Sequence, residues 1–392
     1  MHGRASKRAV RPLYQNWAVA GCSPDINSEP LEATILTVNA DTLSKQITEI
    51  YRAWGMAEDV IEITVRNMVE ADLRGIDSHG AGMLPTYNLR RKNGVMIPTG
   101  ELTVVREFAA TALLDAGNAL GHYATTKAME MACDRAKEFG VGVVTVRRSN
   151  HYGAAGVYST MAADRGMIGM CMTGSSQPAV LPTFAKEPRF STNPIAVAAP
   201  GLKNEHFSLD MATSTVAVGK LNIARRAGKE IPLGWASDET GTPTTDPVAA
   251  LNAVPKRLSP IGGSRELGSH KGYGLGLVVE ILCSVLSGSY TGATDMMTKE
   301  QGETLNIGHF CLAIDPNAFR EEGEFEAHMD ALMDWMRDTP PLDPAQPVLV
   351  PGDPEHEARK IRVAEGIPMT DTLVKEVREV AEEAGAPLLI GN

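Results

Sequence analysis

Three short stretches of the 392-residue chain carry side chains able to move protons and hold anions. The first is Ser149-Asn150-His151-Tyr152-Gly153-Ala154-Ala155-Gly156, where a histidine follows the apolar, β-branched run 141–146. Imidazole titrates near neutrality and can give or take a proton in either direction. The small residues after it let a ligand approach the backbone, at the strand end where α/β sheets hold small molecules. The second is Asp77-Ser78-His79-Gly80, with Tyr87, Arg90 and Arg91 downstream; Ser78 and His79 offer hydrogen bonds to an oxygen or a carboxylate. The third, Gly268-Ser269-His270-Lys271-Gly272-Tyr273-Gly274, opens the apolar run 275–286. Glycines and a lysine at a helix N-terminus make an anion site suited to a phosphate, because backbone N–H groups, dipole and ammonium point one way. Each stretch also has a purely structural reading, as a strand-end histidine, a capped turn or a tight helix start.

The elements around these stretches follow from periodicity. Residues 42–54 and 58–74 place apolar side chains at helical spacing and stop at Gly55 and Gly75, a helical pair leading into the Ser78-His79 turn. A strand-like patch over 102–114 and a helix over 123–139 precede the strand at 141–146. Ser149 and Asn150 are good N-cap residues, which predicts a helix directly after that strand. Strands are expected over 167–172, 195–199 and 206–209, ending in small polar residues or at Asp210, before a helix carrying Lys220. Alternating strands and helices indicate an α/β layer with a substantially parallel sheet; the crowding between Met167 and Leu209 makes a mixed sheet the expectation.

Composition narrows the function. At 392 residues two subdomains are expected rather than one core. A net charge of −11 argues against nucleic acid or an acidic membrane as partner, so a small anionic ligand needs a local cationic cluster. Five scattered cysteines without a C-x-x-C pair (Cys22, Cys133, Cys171, Cys283, Cys311) predict free thiols in a reducing, cytoplasmic compartment. The basic leader, residues 1–36, shows no packed element, and its Cys22 lacks the apolar core of a lipoprotein signal. No run of eighteen apolar residues suggests a membrane span. Motifs for zinc proteases, α/β-hydrolases, calcium loops, P-loops and the common Rossmann turn are absent. His79, His151 and His270 converging on a metal is disfavoured by the cations beside them, and none is expected.

Taken in order, DSHG with GMLPTY, SNHYGAAGVYS, FSTNPIAVAAPG, LDMATS, GTPTTDP, GSHKGYGLGLVVEILCSVLSGS and the segment 351–368 resemble the malate/L-lactate dehydrogenase family, which also includes ureidoglycolate, sulfolactate and diketogulonate dehydrogenases. The resemblance implies interconversion of a 2-hydroxy acid and its 2-oxo acid with NAD or NADP, by a homodimer. It implies a non-Rossmann, mixed-sheet α/β/α cofactor domain over 111–319 and a helical, substrate-side domain from 37–110 with 320–392. By matching position His151 is the general acid/base, Ser78 and His79 face the substrate, and Tyr87 adds a substrate contact. Ser176, Asp210, Met211, Ala212 and Lys271 fall where the family binds its dinucleotide; Lys220, His270 and Gly272 join that set. One position departs: several members carry a carboxylate-gripping arginine where this chain has Met83. Arg90, Arg91, Arg147 and Arg148 are candidate replacements, with Arg147 and Arg148 taken as substrate-binding and expected to lower the pKa of His151. Alternatives are a reductase of a cyclic imine carboxylate, a ureidoglycolate-type dehydrogenase, and a homologue that has lost catalysis.

Overall fold

The computed structural model describes residues 35–174, 177–290 and 305–391. In order these form β1 (Ile35–Val38), α1 (Ala40–Ala53), α2 (Glu58–Leu73), a 3-10 turn (Ala81–Met83), α3 (Leu84–Lys92), β2 (Thr103–Phe108), β3 (Thr111–Asp115), α4 (Gly121–Phe139) and β4 (Val141–Ser149). Then come α5 (Ala155–Ala163), β5 (Ile168–Thr173), β6 (Ile195–Ala199), β7 (Phe207–Met211), α6 (Val218–Arg226), β8 (Ala236–Ser237), β9 (Pro243–Thr244), α7 (Pro247–Asn252) and α8 (Ser269–Val279). The last of these continues as a π-helical turn (Glu280–Val285), followed by β10 (Ile307–Ile314), α9 (Glu324–Arg337), α10 (Asp353–Glu365), β11 (Ile367–Thr370) and α11 (Asp371–Ala384).

The two ends of the chain share one core. Leu43, Ile47 and Ile50 of α1 fall on one helical face and are fully buried with Met68 of α2, Leu84 and Tyr87 of α3, and Val377 and Val380 of α11. Backbone pairing of β1 with β11 ties the same ends together, Ile35 opposite Thr370 and Val38 opposite Ile367. Ile35 and Leu36, which fall inside the expected leader, thus belong to a strand. Each fully buried aliphatic side chain contributes about 1.5–3 kcal/mol, so this core outweighs the short two-stranded ladder in holding the ends.

The second core surrounds a seven-stranded mixed sheet in the order β2-β3-β4-β10-β5-β6-β7. Only β3 and β4 pair in parallel; every other neighbouring pair is antiparallel. The reason is β10, which periodicity did not predict: it lies between β4 and β5 and runs against both. Those two strands, joined by α5, thus stay parallel to each other without touching. Alternate residues of β10 serve opposite faces. Cys311 and Ala313 pack beneath α4 and α5, and Phe310 packs with Val279 and Cys283 of the α8 segment, giving an α/β/α layering. Cys133, Cys171, Cys283 and Cys311 are buried free thiols, and Cys22 lies outside the described residues. No helix among the described residues is long and apolar enough to cross a membrane.

Two local expectations are corrected. Ser149 and Asn150 do not cap a helix, because β4 extends through Ser149 and five residues (150–154) intervene before α5, with Gly153 at φ 78°. Instead the Asp210 carboxylate accepts the Gly156 N–H at 2.7 Å and serves the helix start from another strand. Asp210 itself lies within β7 rather than after the strand's end.

Candidate active site

His151 stands just beyond the end of β4, and its backbone is fixed from several sides. The Ser149 hydroxyl lies 2.8 Å from Nε2 of the buried His309, whose Nδ1 is 2.8 Å from the Thr173 hydroxyl. Asn150 donates its side-chain N–H groups to the carbonyls of Asn118 at 2.9 Å and Val95 at 3.3 Å. Gly121 donates its N–H to the His151 carbonyl at 3.0 Å. Gly153 closes the turn; a Cβ there would press within 2.8 Å of Nε2 of His122.

The imidazole is oriented through one nitrogen. Nδ1 of His151 accepts the Gly153 N–H at 3.2 Å and lies 2.7 Å from the Tyr87 hydroxyl. Since the amide can only donate, Nδ1 is the acceptor, Tyr87 donates to it, and the neutral ring carries its proton on Nε2. His79 stacks against His151 with ring centroids 5.5 Å apart and planes 26° apart, and Nδ1 of His79 lies 2.8 Å from the Ser78 hydroxyl. On the other side of Tyr87, the fully buried His122 meets its ring edge-on at 5.7 Å. Neither ring nitrogen of His122 has a hydrogen-bond partner among the described residues.

Removal from water dominates the electrostatics. Burial pushes His151 well below the ordinary histidine range, reinforced by His79, Arg90, His122 and His309. It lowers His79 also, and brings His122 and His309 each down to about 3. At neutral pH the cluster is thus a set of uncharged imidazoles.

The Ser78-His79 turn is held by acids and by the far end of the chain. Arg362 of α10 pairs with the Asp77 carboxylate. The buried Asp72 carboxylate accepts the Ala81 N–H at 2.8 Å, and a Cβ on Gly80 would fall inside that carboxyl group. Burial raises the Asp72 pKa to about 7.

The two arginines before His151 are engaged elsewhere. Arg147 faces Asp115 in the parallel β3–β4 register, and its Nε lies 3.1 Å from that carboxylate; Nη1 of Arg148 is 3.5 Å from the same oxygen. The expectation that this pair sets the pKa of His151 gives way to Arg90, the cation among the strongest influences on the ring. No spacing rule pairs Asp115 with residues some thirty positions on; only the ladder register does.

The residues expected at a dinucleotide fall into two groups. Asp210 and Met211 in β7 and the adjoining Ala212 reach the His151 segment through the Asp210 bond to Gly156. Thr213, next in line, accepts the Ile261 N–H at 2.9 Å, and the buried Gly272 of α8 packs against the Ile261 backbone, where a side chain would not fit. His270 and Lys271 are exposed in the first turn of α8, after Gly268 at φ 94°. Lys220 is exposed on α6, and Ser176 lies outside the described residues. Sequence reasoning passed over His122, His309 and Asp72, whose partners lie in other elements.

Comparison with known proteins agrees with this architecture. The sequence profile described as malate/L-lactate dehydrogenase matches residues 38–378. A malate dehydrogenase of Pyrococcus horikoshii is 37% identical over 356 residues, covering 91% of this chain and 97% of the relative. A (2R)-3-sulfolactate dehydrogenase (NADP(+)) of Chromohalobacter salexigens is 33% identical over 344 residues, 87% of this chain and 96% of the relative. The crystal structure of malate dehydrogenase from Entamoeba histolytica superposes with a TM-score of 0.85 at 33% identity, covering 91% of this chain and 99% of that one. An oxidoreductase fold built around a buried histidine cluster, matched over nearly its whole described length, places the chain in the malate/L-lactate dehydrogenase family.

Proposed function

We propose that the protein interconverts a 2-hydroxy acid and its 2-oxo acid with NAD or NADP, using His151 as general acid/base. The observation that carries this reading is the 2.7 Å Tyr87–His151 contact, which fixes Nδ1 and leaves Nε2 for a reacting oxygen. When bound, the nicotinamide ring supplies or accepts the hydride.

In reduction the protonated ring gives its Nε2 proton to the carbonyl oxygen while Nδ1–H is held by the Tyr87 oxygen, since a phenol accepts as well as donates. Oxidation uses the other neutral tautomer: the resting ring's proton passes from Nε2 to Nδ1, the ring moving off the Gly153 N–H and the Tyr87 oxygen turning to accept, and Nε2 then takes the hydroxyl proton. The depressed pKa of His151 keeps the free protein in the base form, and an anionic acid bound beside it raises that pKa again. His79, oriented by Ser78, presents its remaining ring nitrogen to the substrate oxygens.

The chain's own residues fit a dinucleotide. Lys271 and His270 at the positive end of α8 suit its phosphates, and by matching position Asp210, Met211, Ala212, Lys220 and Gly272 are taken as further contacts, as is Ser176, which lies outside the described residues. A homodimer in the cytoplasm completes the reading; the four buried free thiols are in keeping with a reducing compartment.

The test follows NADH and NADPH absorbance separately against pyruvate, oxaloacetate, a branched 2-oxo acid, a sulfonated analogue and a cyclic imine carboxylate. Turnover of at least one linear oxo acid is expected. Silence with all of them and turnover of the imine alone would contradict the reading.

A further inference from the structure

Arg90 is a cation without an anion. It sits one helical turn beyond Tyr87 on α3, so the two side chains leave neighbouring positions on the helix face, and Tyr87 in turn touches His151. Arg90 is half-buried, and its Nη1 is shielded from solvent with no hydrogen-bond partner. No carboxylate among the described residues pairs with it. The other nearby guanidiniums are engaged: Arg147 and Arg148 with Asp115, Arg362 with Asp77, and Arg91 through Nη2 with the Asn88 side chain at 3.0 Å and with the Trp54 ring at 5.1 Å, its Nε alone being buried without a partner among the described residues. Met83, on the preceding turn, packs against the helical core and brings no charge. Taking an ion out of water without a counter-ion is costly, and a guanidinium fork matches a carboxylate in geometry as well as charge.

We propose that Arg90 is the anion clamp of this site, its fork taking the carboxylate of the substrate acid so that the neighbouring C2 oxygen meets His151. The clamp rests on the dehydrogenase reading for the identity of the acid, but the anion site itself is argued from the unpaired guanidinium. Arg90 is then a binding residue, and its removal weakens ground state and transition state alike.

The experiment measures oxamate, a monoanion, and oxamide, its uncharged counterpart, binding calorimetrically to the full chain with saturating NADH or NADPH. Wild type is compared with Arg90→Met and Arg90→Gln, folding being checked by circular dichroism. Oxamate affinity should fall by about 10–100-fold in either variant, the range for losing a charge-assisted hydrogen bond, with oxamide binding unchanged. A merely structural defect would weaken both ligands together and overturn the clamp. Unchanged oxamate affinity in whichever variant folds, or no oxamate binding by wild type, would also overturn it. Turnover of a 2-oxo acid with Arg90-independent oxamate binding removes the clamp and keeps the dehydrogenase. Arg90-dependent binding without turnover of any 2-oxo acid does the reverse.

Discussion

At the scale of single residues, the proton positions around His151 follow from one amide and one phenol. Because Gly153 N–H occupies Nδ1 from within the same turn, Tyr87 is the only adjustable partner on that nitrogen among the described residues, donating to the bare Nδ1 of the resting ring and accepting whenever Nδ1 carries a proton. Burial raises the Tyr87 pKa, so it remains a phenol throughout. Tyr87→Phe keeps the ring against His122 and removes only the hydroxyl. It should lower kcat by about 3–10-fold, the worth of one neutral hydrogen bond, with the melting temperature as the folding control. Wild-type kcat in a folded Phe variant would contradict the assignment. His151, His79 and Ser78 drew notice because a histidine after a β-branched run, and a polar knot after a helix end, stand out by residue type, and the structure brings the three together. What Arg147 and Arg148 do was not legible: their carboxylate, Asp115, is set opposite them by strand register alone. His122 gave no sequence signal, since what sets it apart is burial with neither ring nitrogen hydrogen-bonded among the described residues.

At the scale of elements, the turn that carries Ser78 and His79 hangs on a buried carboxylate. Asp72 ends its helix facing inward, takes the Ala81 N–H, and fills the space a side chain at Gly80 would need. Folding raises its pKa to about 7, chiefly by burial, with the Ala81 N–H and Arg362 pulling the other way and Asp77 adding to the rise. A raised carboxyl pKa means that folding takes up a proton. Its contribution to stability is full below the unfolded value near 4 and is lost as pH rises through about 7. Asp72→Asn keeps an oxygen acceptor and removes the titration. The melting temperature of the variant minus that of wild type should therefore grow by a few degrees between pH 5 and pH 8 in thermal scans, and a constant difference would contradict the pKa assignment. Helix boundaries in this region were readable to within a few residues from apolar spacing and terminal glycines. The start of α5 was not, because its cap is supplied by Asp210 from β7 rather than by the residue before it.

At the scale of the whole molecule, the sheet is organised by a strand that local pattern does not announce. Buried on both faces, β10 reads as a short, mostly apolar run interrupted by Gly308 and His309, and such a run carries no period to distinguish strand from helix. The joining of the chain's ends was legible only through the family resemblance, since β1 and β11 are short and far apart. Among the described residues, Leu275, Val278, Ile281 and Val285 recur at helical spacing along α8 and its π-turn and are exposed. The homodimer proposed above would bury this face. Sedimentation should give a dimer for wild type and a shift toward monomer for Ile281→Glu; a monomeric wild type at assay concentration would contradict the assignment. The central claim, that His151 moves the proton accompanying hydride transfer, is tested most directly by repeating the nicotinamide absorbance assay on His151→Ala with the best 2-oxo acid. The account predicts kcat lower by about 10²–10⁴-fold with NAD(P)H affinity nearly intact, and turnover near the wild-type rate would contradict it.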